Sequence, residues 1–209
     1  MTDAEVNKAD LRLVGHLAAR PSDADRFARF VERASSIVGA QPDIHEVVPR
    51  EPGDSEVFSL VFVDVPEPGL VTGVTYGLSL WQRLNARPVR ELCTTMRSTD
   101  LAWPKVPART VAVLRGMCPF DPGMVIGYKE PYVPPSGLSS LVLASTLPVP
   151  ALADGIDVAP PDADTDDLVQ IVAAYPVYPS EREAVHAVGL GAVFDSDWDP
   201  YDPARAAVV

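Results

Sequence analysis

Residues 168–189 read LVQIVAAYPVYPSEREAVHAVG and contain the clearest change of secondary structure in the sequence. The first half is almost continuously apolar, which is typical of a strand covered on both faces. Pro176 and Pro179 predict the end of that strand, because proline lacks an N–H and fixes φ. Ser180 and Glu183 have the S-x-x-E spacing of a capping box, which marks the start of a helix. The stretch therefore predicts a buried strand that turns directly into the last helix.

This last helix is predicted to be amphipathic. Val185, Val188 and Ala192 recur at helical spacing and form its apolar face, whereas Glu181 and His186 lie outside that face. The chain then becomes polar and rich in proline, which predicts an irregular end.

Upstream, short stretches rich in β-branched and aromatic residues are separated by Pro, Gly and Asp. They predict strands at residues 44–48, 56–65, 70–79, 88–98, 124–128 and 139–145. Apolar residues at helical spacing predict helices at residues 3–19, 22–38 and 107–117. Because the connections between the early strands are short, those strands are expected to pair antiparallel. This order of helices and strands predicts an α+β fold: a mixed, largely antiparallel sheet packed with helices, preceded by a helical pair.

The length of 209 residues suits one compact unit, divided here into a helical segment at 1–40 and a main domain at 41–209. The net charge of -12 disfavours nucleic acid as a partner and would attract a basic protein. No stretch has the pattern of a secretory signal or the length of a membrane span, so a cytoplasmic location is expected. Nothing in the sequence sets an oligomeric state.

Familiar catalytic and metal-binding patterns are absent from the sequence. The alternating acids at 162–166 and at 195–199 imitate a calcium loop, but both lack the required glycine and the closing glutamate. The 3 histidines and 2 cysteines lack the paired spacing of zinc ligands. No glycine-rich phosphate loop is present. The prediction is therefore no catalytic residue, no metal and no cofactor-binding residue, with a Cys93-dependent hydrolase or transferase as the alternative.

Several segments, in this order, resemble the suppressor-of-fused domain family. They are VTYGLS at 74–79, VRELCTTM at 89–96, FDPGMVIG at 120–127, IVAAYPVYPSEREAVHAVGLGAVF at 171–194 and DPARAAVV at 202–209. The resemblance covers about residues 44–209 and implies a sheet with helices packed against it. The composition is similar to that of proteins from GC-rich bacterial genomes, which favours the bacterial type of the family.

The resemblance also implies a function. Animal members of the family bind transcription factors, and bacterial members are mostly proposed as immunity proteins that neutralise a toxin by binding it. It implies a protein-binding domain without a cofactor, and most specifically a bacterial immunity protein with a basic toxin as partner. An interaction or regulatory module without a toxin is a further alternative. Thr75, Gly77 and Ser79 are expected to be structural, and Glu91 and Arg205 are expected to be halves of ion pairs.

The candidate contact surface is the acidic and aromatic segment that follows the last helix. Exposed Trp and Tyr flanked by acids are typical of binding hot spots. An alternative is that Trp198 simply covers the end of the core. The candidate partner-binding residues are Asp195, Asp197, Trp198, Asp199, Tyr201 and Asp202.

Overall fold

The structure, a computed structural model, describes residues 21–48, 56–85, 88–164 and 166–209. The helices are α1 (Pro21–Val38), α2 (Leu78–Asn85), α3 (Val106–Leu114), α4 (Pro179–Val188) and α5 (Gly191–Phe194), with a 3₁₀ turn at Pro150–Leu152. The strands are β1 (Asp43–Val47), β2 (Val57–Val63), β3 (Leu70–Tyr76), β4 (Arg90–Arg97), β5 (Val125–Gly127), β6 (Ser140–Ala144), β7 (Ile156–Asp157) and β8 (Leu168–Val177). The helix predicted at 3–19 lies outside the described residues.

The strands form one mixed sheet in the order β1-β2-β3-β4-β8-β6-β5, with β7 pairing with β8. Neighbouring strands run antiparallel except β4 and β8, which are parallel. The predicted fold class, a mixed and largely antiparallel sheet packed with helices, is confirmed.

Each face of the sheet is covered, so alternate residues of one strand enter different apolar clusters. Cys93 of β4 packs with α1, whose Phe27 and Phe30 are fully buried. Leu92 and Met96 of the same strand pack on the opposite face, with α3. Because α1 shares its core with the sheet, residues 21–38 are part of the packed unit. The proposed domain boundary at residue 40 stays a prediction.

The end of β3 differs from the prediction. Residues 78–79 were expected to continue the strand, but they begin α2. Gly77 has φ +137°, a conformation that L side chains rarely adopt, so the chain leaves the sheet there. The amides of Gly77 and Ser79 then donate to Glu91, 2.8 and 2.9 Å away, and these bonds satisfy the start of the helix.

Pro176 does not end β8, which continues to Val177. The parallel pairing with β4 extends only as far as Ala173, whereas the antiparallel pairing with β6 continues past Pro176. At Pro176 the strand therefore has a neighbour on one side only. Proline is tolerated at such an edge because its missing N–H would have no partner.

The predicted capping box at Ser180 and Glu183 is also wrong. The helix α4 begins two residues earlier, at Pro179, and Tyr178 rather than Ser180 is its N-cap. The Tyr178 amide donates to Oε2 of Glu181 at 2.8 Å, so Glu181 performs the role assigned to Glu183. The Ser180 hydroxyl instead donates to the Val209 carbonyl at 2.9 Å. Glu181, expected on the polar face, is completely buried.

Within the described ranges, no helix combines the length and the apolar character that crossing a membrane requires.

Candidate functional site

The acidic C-terminal segment, residues 195–202, is held by a buried ion pair. The Arg205 guanidinium donates from Nη1 and Nη2 to the two carboxylate oxygens of Glu181, at 2.5 and 2.6 Å. The same carboxylate also accepts from the amides of Tyr178 and Val208. A planar guanidinium matches a carboxylate through two parallel bonds, which fixes orientation as well as distance. The end of the chain is thereby attached to the first turn of α4.

Aromatic rings enclose the Arg205 guanidinium. Its central carbon lies 4.7 Å from the ring centre of Trp198 and 5.3 Å from that of Tyr178. Trp198 in turn contacts Phe194 and Tyr175 edge-on or tilted, with ring centres 5.4 and 6.0 Å away. The indole is therefore half-buried on the core, as the alternative interpretation of Trp198 expected, while its backbone carries the acidic segment.

The acids of the segment divide into two groups. Asp195 and Asp197 are exposed, whereas Asp199 and Asp202 are half-buried. Asp199 forms a salt bridge with Arg97 at the end of β4, and its second oxygen accepts from the Tyr201 amide at 2.9 Å. Burial opposes the ionisation of Asp199, but the hydrogen bond and charge of Arg97 hold its pKa below its usual range. Two carboxylates thus face solvent, and two order the loop.

The backbone of the acidic C-terminal segment is hydrogen-bonded to the sheet at the end of β4. The Arg97 amide donates to the Tyr201 carbonyl at 2.7 Å, which extends the hydrogen bonding of β4 beyond its partner strand. Asp202 accepts from the Ala204 amide at 2.8 Å and closes a tight turn. The structure therefore brings all six predicted contact residues onto one fixed loop. Whether that loop binds a partner stays a prediction.

The residues Thr75, Gly77 and Ser79 form a second polar centre, which is entirely internal. All three donate to the fully buried Glu91: the Thr75 hydroxyl at 2.5 Å and the amides of Gly77 and Ser79 at 2.8 and 2.9 Å. Burial raises the pKa of Glu91, and these hydrogen bonds oppose the rise. Glu91 was expected to be half of an ion pair, but the structure shows hydrogen-bond donors around it instead. The VTYGLS and VRELC segments together build one structural corner.

Cys93 has the surroundings of a core residue. It is fully buried, and burial raises the pKa of its thiol to about 12. The thiolate that a nucleophile needs is therefore scarce at neutral pH. His45 lies on β1, three strand spacings or about 14 Å across the sheet. His186 lies exposed on α4, and His16 lies outside the described residues.

No group of three or more His, Cys, Asp or Glu side chains in the described part of the chain is arranged to hold a metal ion. Of the acids that imitate a calcium loop at 195–199, Asp199 is paired with Arg97, whereas Asp195 and Asp197 are exposed.

Sequence reasoning missed the buried pair of Glu181 and Arg205. Arg205 was identified as half of an ion pair, but Glu181 was placed on the exposed face of α4. The signal available was the position of Glu181 two residues after Pro179, where a first-turn acid can reach back to the N-cap amide. The partner could not be identified, because 24 residues separate the two side chains.

No protein-family model and no curated protein matches the chain. Solved structures do match. One is a crystal structure described as a SUFU (suppressor of fused protein) homolog from Neisseria gonorrhoeae FA 1090, with a TM-score of 0.60 and 14% identity over 88% of this chain and 97% of that one. Another is a chain of the Sufu-Fu complex, with a TM-score of 0.58 and 13% identity over 85% of this chain and 89% of that one. The protein therefore has the suppressor-of-fused fold.

Proposed function

We propose that this protein is a non-enzymatic protein-binding domain whose acidic C-terminal segment contacts a basic protein partner. The observation that carries the proposal is the exposure of Asp195 and Asp197 on a loop that is held by the Asp199–Arg97 salt bridge within it and by the Arg205–Glu181 pair just after it. A loop that is already ordered loses little conformational freedom on binding. One of the similar structures is a complex, Sufu-Fu, which supports binding as the activity of this fold.

Charge supports a basic partner. The chain carries 29 acidic and 17 basic side chains, so its long-range field attracts cations. Exposed carboxylates at the rim of an interface accelerate the encounter with a basic surface and add specificity. A positively charged toxin domain, such as a nuclease that must bind phosphates, fits this description. The proposed biological role is therefore that of a bacterial immunity protein.

The buried and poorly ionised thiol of Cys93 supports a binding function over the Cys93-dependent hydrolase or transferase. An activity abolished by Cys93→Ala in a folded protein would reverse this preference.

Co-expression tests the biological role. The product of the neighbouring gene is expressed in a bacterial host with and without this protein, and growth and complex formation are both measured. An immunity protein restores growth and forms a complex of fixed stoichiometry by light scattering. If the neighbouring product binds but is harmless to the host, the role is that of an interaction module without a toxin. If it neither binds nor harms the host, the immunity role is wrong.

A further inference from the structure

We infer that a cleft beside the acidic C-terminal segment binds an extended peptide segment of a protein partner, in which proline or another compact apolar residue adjoins lysine or arginine. This proline cleft has a volume of about 430 Å³, within the range of ligand sites. The apolar part of its lining includes Trp103, Val133, Pro134, Pro135, Tyr178 and Pro203. The inference rests on the proposed protein-binding function and specifies the chemistry of the partner.

The cleft is preformed. Pro134, Pro135 and Pro203 have fixed φ angles and few accessible conformations. The Ser136 hydroxyl donates to the Pro203 carbonyl at 2.8 Å, which joins the two proline walls. The Tyr178 hydroxyl donates to the Arg205 carbonyl at 2.5 Å and holds the phenol ring in place. An occupant would therefore meet apolar walls that need no further ordering, as in the aromatic grooves that bind proline-rich segments.

The polar groups of the cleft favour a cation. None of its lining residues is basic, and Asp100 is an exposed acid at its border. The side-chain donors of Ser136 and Tyr178 are used within the protein, and the three proline walls have no N–H. Ser98 and Trp103 also carry neutral side-chain donors, but the charged side chain of the lining is the Asp100 carboxylate, which accepts from ammonium or guanidinium groups. An anionic occupant would meet no basic side chain in the lining.

The cleft is continuous with the acidic C-terminal segment. Pro203 and Ala204 line it, and they directly follow Asp202, the last residue of that segment. A polymer can contact the cleft and the segment at once, whereas a small cation can fill only one of them. This continuity favours a peptide segment.

Two variants isolate the apolar and the charged contributions. Ala204 is exposed and lines the cleft, so Ala204→Trp would fill it from the surface. Ala206→Trp is the matched control, because Ala206 is exposed but does not line the cleft. Asp100 accepts from the Ala102 amide at 2.8 Å, and Asp100→Asn keeps that acceptor while removing the charge. Asp162→Asn is its control, because Asp162 is exposed, precedes β8 and does not line the cleft.

The probe is a library of random twelve-residue peptides displayed on phage and selected on the native protein. Selected peptides are expected to carry proline or a compact apolar residue beside lysine or arginine. Their affinity should fall at least about tenfold in Ala204→Trp and about fivefold at low ionic strength in Asp100→Asn, with both controls unchanged. Circular dichroism and thermal unfolding establish that each variant is folded.

Three results would contradict peptide binding in the proline cleft: no enriched peptides, enrichment of acidic peptides, or peptides whose affinity is unchanged in Ala204→Trp. The proposed function can fail separately. Its own test reverses the charges of Asp195 and Asp197, which lie outside the cleft lining. If peptides bind the cleft but these charge reversals do not change partner binding, the cleft proposal stands and the proposed contact through the acidic C-terminal segment is wrong.

Discussion

Two buried carboxyl groups, Glu91 and Glu181, have opposite acid–base behaviour. Burial raises the pKa of Glu91, whose neighbours are neutral donors. Burial also opposes the ionisation of Glu181, but the hydrogen bonds and charge of Arg205 hold its pKa below its usual range. The difference lies in the single cation, which favours the charged form of one acid and is absent from the hydrogen-bond partners of the other. The two residues therefore make different contributions to the pH dependence of stability.

Replacing Arg205 tests the buried pair. Arg205→Ala leaves the Glu181 carboxylate buried without its cation and should cost about 3–5 kcal/mol in the free energy of unfolding. Arg205→Lys keeps the charge but loses the two parallel bonds and should cost less. Urea denaturation near neutral pH measures both. A loss below about 1 kcal/mol for Arg205→Ala would contradict the role assigned to the pair.

The pH dependence of Glu91 has a defined sign. Above its ordinary pKa of 4.5, the unfolded chain releases the Glu91 proton, whereas the folded protein retains it up to its raised pKa. The folded state then binds more protons, so this residue lowers stability as the pH rises through that window. Glu91→Gln cannot titrate and still offers an oxygen to the Gly77 and Ser79 amides.

Urea denaturation of both proteins from pH 4 upward measures the effect. The stability of the native protein relative to Glu91→Gln should fall as the pH rises. A difference that is constant with pH, or that grows in the opposite direction, would show that the Glu91 pKa is not raised.

Among the elements, the strands were the most predictable. Their β-branched runs lie between Pro, Gly and Asp, and each of the six upstream strand predictions has its counterpart in β1 to β6. The secondary-structure predictions are wrong where tertiary contacts determine the local structure. Pro176 stays in β8 because that end of the strand has a neighbour on one side only, and Ser79 enters α2 because Glu91 accepts its amide. Neither partner is visible from local sequence. The six candidate contact residues were predicted as a loop. The contacts that hold this loop, with Arg97 and through Arg205 with Glu181, could not be predicted because they form only in the folded protein.

The packing of α3 on the sheet depends on one glycine. A Cβ on Gly73 of β3 would lie 2.0 Å from the Pro104 carbonyl oxygen, and Ser59 of β2 donates to the same oxygen at 2.9 Å. Gly73→Ala would force the backbone before α3 off the sheet and should cost about 3 kcal/mol. Gly123→Ala is the comparison: its φ is +91° but its Cβ would meet nothing within 4 Å, so only about 1 kcal/mol of backbone strain is expected. Thermal or urea unfolding measures the loss of stability in each variant. Equal losses in the two variants would contradict the close approach of Gly73 to the Pro104 carbonyl.

At the scale of the whole molecule, the protein presents a surplus of negative charge on a rigid sheet with both faces covered. Its exposed acids are not confined to one place: Asp162 and Asp164 lie before β8, and Asp195 and Asp197 lie beyond its far end. A partner attracted only by the overall field would respond equally to either pair, because long-range steering depends on the summed charge. A partner that contacts the acidic C-terminal segment would respond to one pair alone.

The most direct test of the binding function measures the dissociation constant of the complex with the neighbouring gene product across ionic strength. It compares the native protein with Asp195→Lys/Asp197→Lys and with the matched control Asp162→Lys/Asp164→Lys, which changes the net charge equally. We expect at least about a tenfold loss for the first variant at low salt, shrinking as salt screens the contact, and little loss for the control. Equal losses in the two variants, or an unchanged affinity in the first, would contradict binding through the acidic C-terminal segment.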